Sequence, residues 1–173
     1  TIVVTSKEGE GSTFVITLPF EIAEKPEEIP AEMDGEVNIA GLHLLLAEDN
    51  ELNAEIARTL LEDEGAITTI VNDGQQAVDI FSRNKPGTFD AILMDIMMPE
   101  MDGLSATKAI RALDREDAKT IPIIAMTANA FDEDEKKCME AGMNAHLVKP
   151  LDIQKMKEAV CRYLNKQNDR QGD

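Results

Sequence analysis

From Leu42 onward the chain alternates short apolar runs with segments of helical period. Leu42–Ala47, Ala66–Val71, Phe89–Met94, Ile121–Met126 and Ala145–Val148 are apolar, with no regular polar alternation. Strands that read this way are buried on both faces and belong to a parallel sheet covered by helices on either side. Asn50–Glu64, Asp73–Arg83, Leu104–Asp114, Asp132–Ala141 and Asp152–Leu164 follow them with the period of helices packed along one stripe. Gly65 and Gly142 stop two of these segments. The pattern predicts successive βα units. The fold class is α/β, and right-handed crossovers make it a doubly wound five-stranded parallel sheet with five helices.

The first 41 residues read differently. Ile2–Val4 and Phe14–Leu18 are β-rich, and the polar, glycine-containing stretch Lys7–Ser12 joins them, which predicts a hairpin. Two strands alone are marginal in water. Residues 19–41 hold three prolines and seven acids against one lysine, the composition of an extended linker. The division expected is a hairpin over 1–18, a linker over 19–41, a globular domain over 42–166 and a polar tail over 167–173. The chain opens on Thr1 and runs straight into a strand, as expected of a piece of a longer protein or, alternatively, of a chain that has lost an initiator Met before a small residue.

Charge narrows the class of partner. The 173 residues carry 34 acids against 17 Lys and Arg, a formal net charge of -17. That excess argues against a nucleic-acid backbone or an anionic membrane surface, both of which attract basic patches. Nine of the acids, against two bases, lie in the first 41 residues, outside the expected domain. Five Phe, one Tyr and no Trp leave the core to aliphatic side chains. Cys138 and Cys161 form no disulfide framework and read as reduced thiols of a cytoplasmic setting. The longest apolar stretch, Ile39–Ala47, is far shorter than the ~20 residues of a membrane helix. No direct membrane contact is expected of this piece, although a parent chain could be membrane-anchored.

Candidate chemistry collects where the strands end. Ligand sites in doubly wound sheets lie at the carboxyl ends of the strands. Glu48 and Asp49 follow the first strand, Asp95 ends the third, Thr127 the fourth, and Lys149-Pro150 follows the fifth. Three carboxylates brought together repel one another, which raises at least one pKa or requires a cation. An all-oxygen set without Cys or suitably spaced His suits Mg²⁺ better than Zn²⁺. Lys149 adds a fixed positive charge and Thr127 a hydroxyl. Such a set can hold an anionic group against an aspartate, which is what phosphoryl transfer to a carboxylate requires.

These residues, with Asp95-Ile96-Met97-Met98-Pro99-Glu100-Met101-Asp102-Gly103, Thr127-Ala128 and Lys149-Pro150 in order and spacing, make residues 42–166 resemble a two-component receiver (response regulator) domain. Residues 1–18, with Gly11-Ser12-Thr13-Phe14, resemble the last strands of a histidine-kinase ATPase domain, and Asn50 and Asn53 resemble the receivers of hybrid sensor kinases. The resemblance implies a flavodoxin-like (βα)5 fold with strand order 2-1-3-4-5. It implies Asp95 as phosphoacceptor, with Thr127 and Lys149 holding the phosphoryl oxygens. Mg²⁺ would be bound by Asp49, Asp95 and the backbone carbonyl of Met97, and by Glu48 through water. A cis Lys149-Pro150 bond is also implied. The phosphoryl donor would be the phospho-histidine (dimerisation) domain of a histidine kinase, and a histidine phosphotransfer protein would be the recipient in a relay. The fragment would catalyse only its own phosphorylation and dephosphorylation, since the nucleotide-binding boxes of a kinase are not in this chain.

Further residues carry expectations. His146 stands three before the lysine, where many such domains have a Tyr or Phe switch; imidazole titrates near neutrality. Met97 and Asn129, two residues beyond Asp95 and Thr127, lie where side chains would tune the lifetime of a phosphoryl group. The first helix has a second apolar stripe, Leu52, Ile56 and Leu60, beside Ala54, Ala57 and Leu61. Leu52 and Ile56 are expected to dock the phospho-histidine helix. Competing readings are a Mg²⁺-dependent Asp-nucleophile phosphatase, an FMN binder and a non-phosphorylated interaction module. The first needs a second Asp where Met97 stands, Glu48-Asp49 would repel the phosphate of FMN, and the complete residue set argues against the third.

Overall fold

The computed structural model describes residues 1–7, 9, 11–18, 37–128 and 132–168, with 132–134 and 165–168 as backbone alone. The chain divides into two units, residues 1–32 and 33–173. In the first, β1 (Ile2–Lys7) pairs antiparallel with β2 (Gly11–Ile16), placing Ile2 opposite Ile16 and Val4 opposite Phe14. The alternation puts Ile2, Val4, Phe14 and Ile16 on one face of this ribbon, all of them exposed.

The second unit is the doubly wound sheet. Its strands are β3 (His43–Ala47), β4 (Ile67–Val71), β5 (Ala91–Asp95), β6 (Ile123–Thr127) and β7 (Ala145–Val148). Every pairing is parallel and the order is β4-β3-β5-β6-β7, the expected 2-1-3-4-5 counted from β3. The helices are α1 (Glu51–Asp63), α2 (Gly74–Arg83), α3 (Gly103–Arg111), α4 (Glu116–Thr120), α5 (Asp132–Ala141) and α6 (Ile153–Asn168).

Period-two alternation along the strands builds two cores. Leu44, Leu46 and Leu93 pack with Ala57 and Leu61 of α1 and with Met156 and Val160 of α6. Leu45, Ile92 and Met94 pack with Phe81 of α2, Ile110 of α3 and Cys138 of α5. Burial of each Leu or Ile contributes roughly 1.5–3 kcal/mol before entropy is counted, so the sheet is held from both sides. At the carboxyl edge, three helices start on side-chain caps. Asn50 accepts from the Asn53 N–H, Asp73 from Gln76 and Asp102 from Ser105. Each such cap is worth ~1 kcal/mol. Together they hold the loops at that edge.

Before the last helix, two features depart from the sequence reading. The third helix ends at Arg111 rather than Asp114, and a short sixth helix, α4, follows. Arg115 between them binds Asp117 through Nε (2.6 Å) and donates through Nη1 to the carbonyls of Phe81 (2.5 Å) and Asn84 (3.1 Å). Its guanidinium also lies 4.3 Å from the centroid of the Phe81 ring. These contacts tie the chain after α3 to the end of α2, so the helical period through Leu113 is not continued.

The other departure concerns residues 37–41, read as the end of the linker. Ile39 is fully buried in the α1/α6 core. The Gly41 N–H donates to the Gly65 carbonyl (2.8 Å), and the Cys161 thiol donates to the Asn38 carbonyl (3.5 Å). Gly65 ends α1 at φ +84, and a Cβ there would stand 3.0 Å from the Ala40 Cβ. The remaining linker positions, 19–36, and positions 169–173 of the expected tail lie outside the described residues. Helix α6 runs to Asn168, past the expected start of the tail.

Candidate functional site

The parallel sheet brings the predicted side chains to one edge. Glu48 leaves β3 with its N–H bonded to the Val71 carbonyl (3.0 Å), which fixes the turn. Asp95 ends β5 and its partner in register is Met126, so Thr127 stands one residue further along the same edge. The Thr127 carbonyl accepts the Lys149 N–H (2.7 Å), which ties the end of β6 to the residue after β7. The Lys149-Pro150 peptide is cis, as the resemblance implied.

The Lys149 ammonium binds Glu48 Oε2 at 2.5 Å and Asp95 Oδ2 at 2.6 Å. Glu48 is 1% exposed, Asp95 5% and Thr127 7%, while Asp49 faces solvent. Two carboxylates so deeply buried need partners, and the shared ammonium is one. Burial by itself would lower the Lys149 pKa. The hydrogen bonds and charges of Asp95 and Glu48 outweigh it and hold the ammonium above its ordinary value. Asp95 Oδ1 also accepts the Met97 N–H at 3.2 Å.

Glu48, Asp49 and Asp95 each offer a carboxylate oxygen, and the three lie within 4.8 Å of one another. The ammonium pairs with two of these three carboxylates, which leaves the cluster net negative, and an oxygen-only donor set fits a hard divalent cation. The edge therefore combines a buried carboxylate, a fixed ammonium, a hydroxyl and a candidate cation position. Electrostatic stabilisation of a phosphoryl group on a carboxylate uses these parts.

The other predicted residues are placed around this centre. Met97 is 78% exposed at the mouth of the site. His146 lies in β7, partly buried, with Nδ1 3.6 Å from Glu135 of α5. Asn129 lies outside the described residues. Leu52 is 68% and Ile56 49% exposed on α1, on the side away from Ala54, Ala57 and Leu61, which are buried. Two residues at the site were given no structural task by the sequence reading. Asn53 Nδ2 donates to Glu48 Oε1 at 3.0 Å. Gly103 starts α3 so close to β5 that a Cβ there would stand 2.1 Å from the Asp95 carbonyl oxygen. The signal for Gly103 was its place directly after the cap residue Asp102. Asn53 showed only as a second asparagine in the first turn.

The family model of the response regulator receiver domain matches residues 44–161. Hybrid signal transduction histidine kinase I of Dictyostelium discoideum is 39% identical over 141 residues, covering 75% of this chain and 8% of that protein. The aerobic respiration control sensor protein ArcB of Escherichia coli K12 is 35% identical over 170 residues, covering 97% of this chain and 21% of that protein. The chain thus spans only a small part of these curated relatives. Among solved structures, the receiver domain of a sensor histidine kinase from Pseudomonas aeruginosa PAO1 has a TM-score of 0.65 at 41% identity, covering 73% of this chain and 99% of that one. That structure holds a magnesium ion coordinated in its active-site cleft. With the family model matching most of its length and the acid, hydroxyl and lysine side chains gathered at one sheet edge, this chain belongs to the response regulator receiver domain family.

Proposed function

We propose that this chain accepts a phosphoryl group from a phospho-histidine onto Asp95, as the receiver of a hybrid histidine kinase. In this step the P–N bond to the imidazole breaks and a P–O bond to an Asp95 carboxylate oxygen forms. The departing imidazole takes up a proton. Lys149, already 2.6 Å from Asp95 Oδ2, would follow the charge onto the incoming phosphoryl oxygens. Thr127, at the end of the neighbouring strand, would donate its hydroxyl to another. Asp49, Asp95 and the Met97 carbonyl would hold Mg²⁺, with Glu48 acting through water. The ion would neutralise charge on the phosphoryl oxygens.

The observation that supports this reading best is the double ion pair of Lys149 with Glu48 and Asp95. A half-buried ammonium between two carboxylates is poised to exchange one partner for a phosphoryl group. The donor would be the phospho-histidine domain of a kinase, docking on Leu52 and Ile56, and the acceptor in a relay a histidine phosphotransfer protein. Met97 and Asn129 would tune the lifetime of the acyl phosphate, and His146 would stand at the position of the aromatic switch. Residues 1–18 would be the end of a kinase ATPase domain, residues 19–36 the linker, and the receiver would begin at Val37, because Ile39 lies in its core.

Incubation with acetyl phosphate and Mg²⁺, read by intact mass, tests the reading. The protein is expected to gain one phosphoryl group and the Asp95→Asn variant none. No gain, or a gain that persists in Asp95→Asn, overturns it.

A further inference from the structure

Glu48 is the most buried carboxylate of the site, and both of its oxygens are engaged. Lys149 takes Oε2. The bond to Oε1 comes from outside the strand ends, from Asn53 Nδ2 in the first turn of α1, at 3.0 Å. Asn53 is itself held, because its backbone N–H donates to the capping side chain of Asn50 at 3.0 Å. The cap therefore fixes the Asn53 backbone, and the carboxamide it carries orients the Glu48 carboxylate.

The residue type is informative. A lysine at this place would bring a second fixed cation beside the acidic cluster and compete with a metal. An aspartate would set acceptor against acceptor. A carboxamide donates one hydrogen bond and adds no charge. Without it, Lys149 would be the remaining side-chain partner of Glu48 among the described residues, and the carboxylate plane would be freer to turn.

We infer that Asn53 is a positioning residue for the cation site, fixing the Glu48 carboxylate in the orientation used for Mg²⁺. The inference rests on the reading of Glu48, Asp49 and Asp95 as that site. Hydrogen-bond partners behind metal-site carboxylates typically tune metal affinity by 10–100-fold. Glu48 is assigned a water-mediated role, so the lower end applies.

The test is Mg²⁺ binding by calorimetry to the full chain, in the wild type, Asn53→Ala and Asn53→Ser. Both variants keep the backbone N–H and are tolerated in a first helical turn. Affinity is expected to fall about ten-fold in both. In phosphorylation by acetyl phosphate, the half-saturating Mg²⁺ concentration should rise by about the same factor. The rate at saturating Mg²⁺ should stay near that of the wild type. Thr59→Ala, further along α1, should match the wild type throughout. Unchanged Mg²⁺ affinity in the Asn53 variants overturns the inference alone. So does a lower saturating rate with unmoved half-saturation, which would mark a merely structural role. Absence of Mg²⁺ binding by the wild type overturns the reading of the site, and the inference with it.

Discussion

Replacing Gly103 by alanine perturbs the site without touching any of its charged groups. Gly103 is the first residue of α3, behind the cap residue Asp102, and its N–H donates to the Ile96 carbonyl at 3.0 Å. A Cβ there would stand 2.1 Å from the Asp95 carbonyl oxygen and 2.9 Å from Met94 Cγ. Ordinary contact begins at 3.4 Å, so helix and strand must part by about 1.3 Å. The main obstacle is backbone on a fully buried strand, which has no rotamer to give. Overpacking of this kind costs about 3 kcal/mol, the upper part of its usual range. Better helix propensity returns up to ~1 kcal/mol. The net loss of about 2 kcal/mol lowers Tm by roughly 8 °C for a domain of this size. The shift also reaches Asp95, and a misplacement of about 1 Å can slow a positioned reaction ~100-fold. Far-UV circular dichroism melts and initial rates of phosphorylation by acetyl phosphate measure the two effects. Gly87→Ala is the control. Gly87 has φ +78 with nothing within 4 Å of its added Cβ, so that change brings backbone strain alone and leaves the rate intact. If Gly103→Ala melts with the wild type and is phosphorylated at its rate, the close approach of α3 to Asp95 does not govern the site.

Three further outcomes are expected. Lys149→Met leaves Glu48 and Asp95 buried without their shared cation, which costs about 3 kcal/mol in EDTA. Mg²⁺ should then raise Tm more in the variant than in the wild type, and equal increments would contradict the pairing. Asp102→Ala should lose about 1 kcal/mol in urea unfolding at neutral pH. The Ser105 N–H foremost holds the Asp102 carboxyl below its ordinary 3.8. A depressed carboxylate contributes stability above its unfolded pKa and loses it as pH falls through the folded value. The difference from wild type should therefore shrink below about pH 4, and one that stays constant into acid would contradict this. Ile56→Glu should slow transfer from a phospho-histidine donor about ten-fold, while phosphorylation by acetyl phosphate and circular dichroism stay unchanged. Transfer at the wild-type rate would remove α1 from the docking surface.

The sheet was legible because its strands are apolar on both faces, which leaves few other folds open. With the order of strands known, Glu48, Asp49, Asp95, Thr127 and Lys149 must meet at one edge. Other features were hidden for identifiable reasons. Ile39 opens the longest apolar stretch but stands before Gly41, at the end of an acidic, proline-containing segment, so composition averages it into the linker, although it is fully buried. Helix α4 spans five residues, too few to show a period, and Arg115 sets its start through contacts with α2, 31 and 34 positions away. The bond from Asn53 to Glu48 joins residues five apart across a strand-to-helix turn, a geometry with no fixed sequence spacing. Glu48 and Asp49 are adjacent, yet one is buried and the other exposed, because the chain turns between them.

The claim at the centre of this account is that Asp95 itself carries the phosphoryl group. Borohydride reduces an acyl phosphate on aspartate to homoserine, so reduction followed by tandem mass spectrometry reads the site directly. After acetyl phosphate and Mg²⁺, homoserine is expected at position 95 alone, and none when EDTA replaces the metal. Homoserine at any other position, or an unmodified residue 95 in protein that has taken up phosphate, would contradict it.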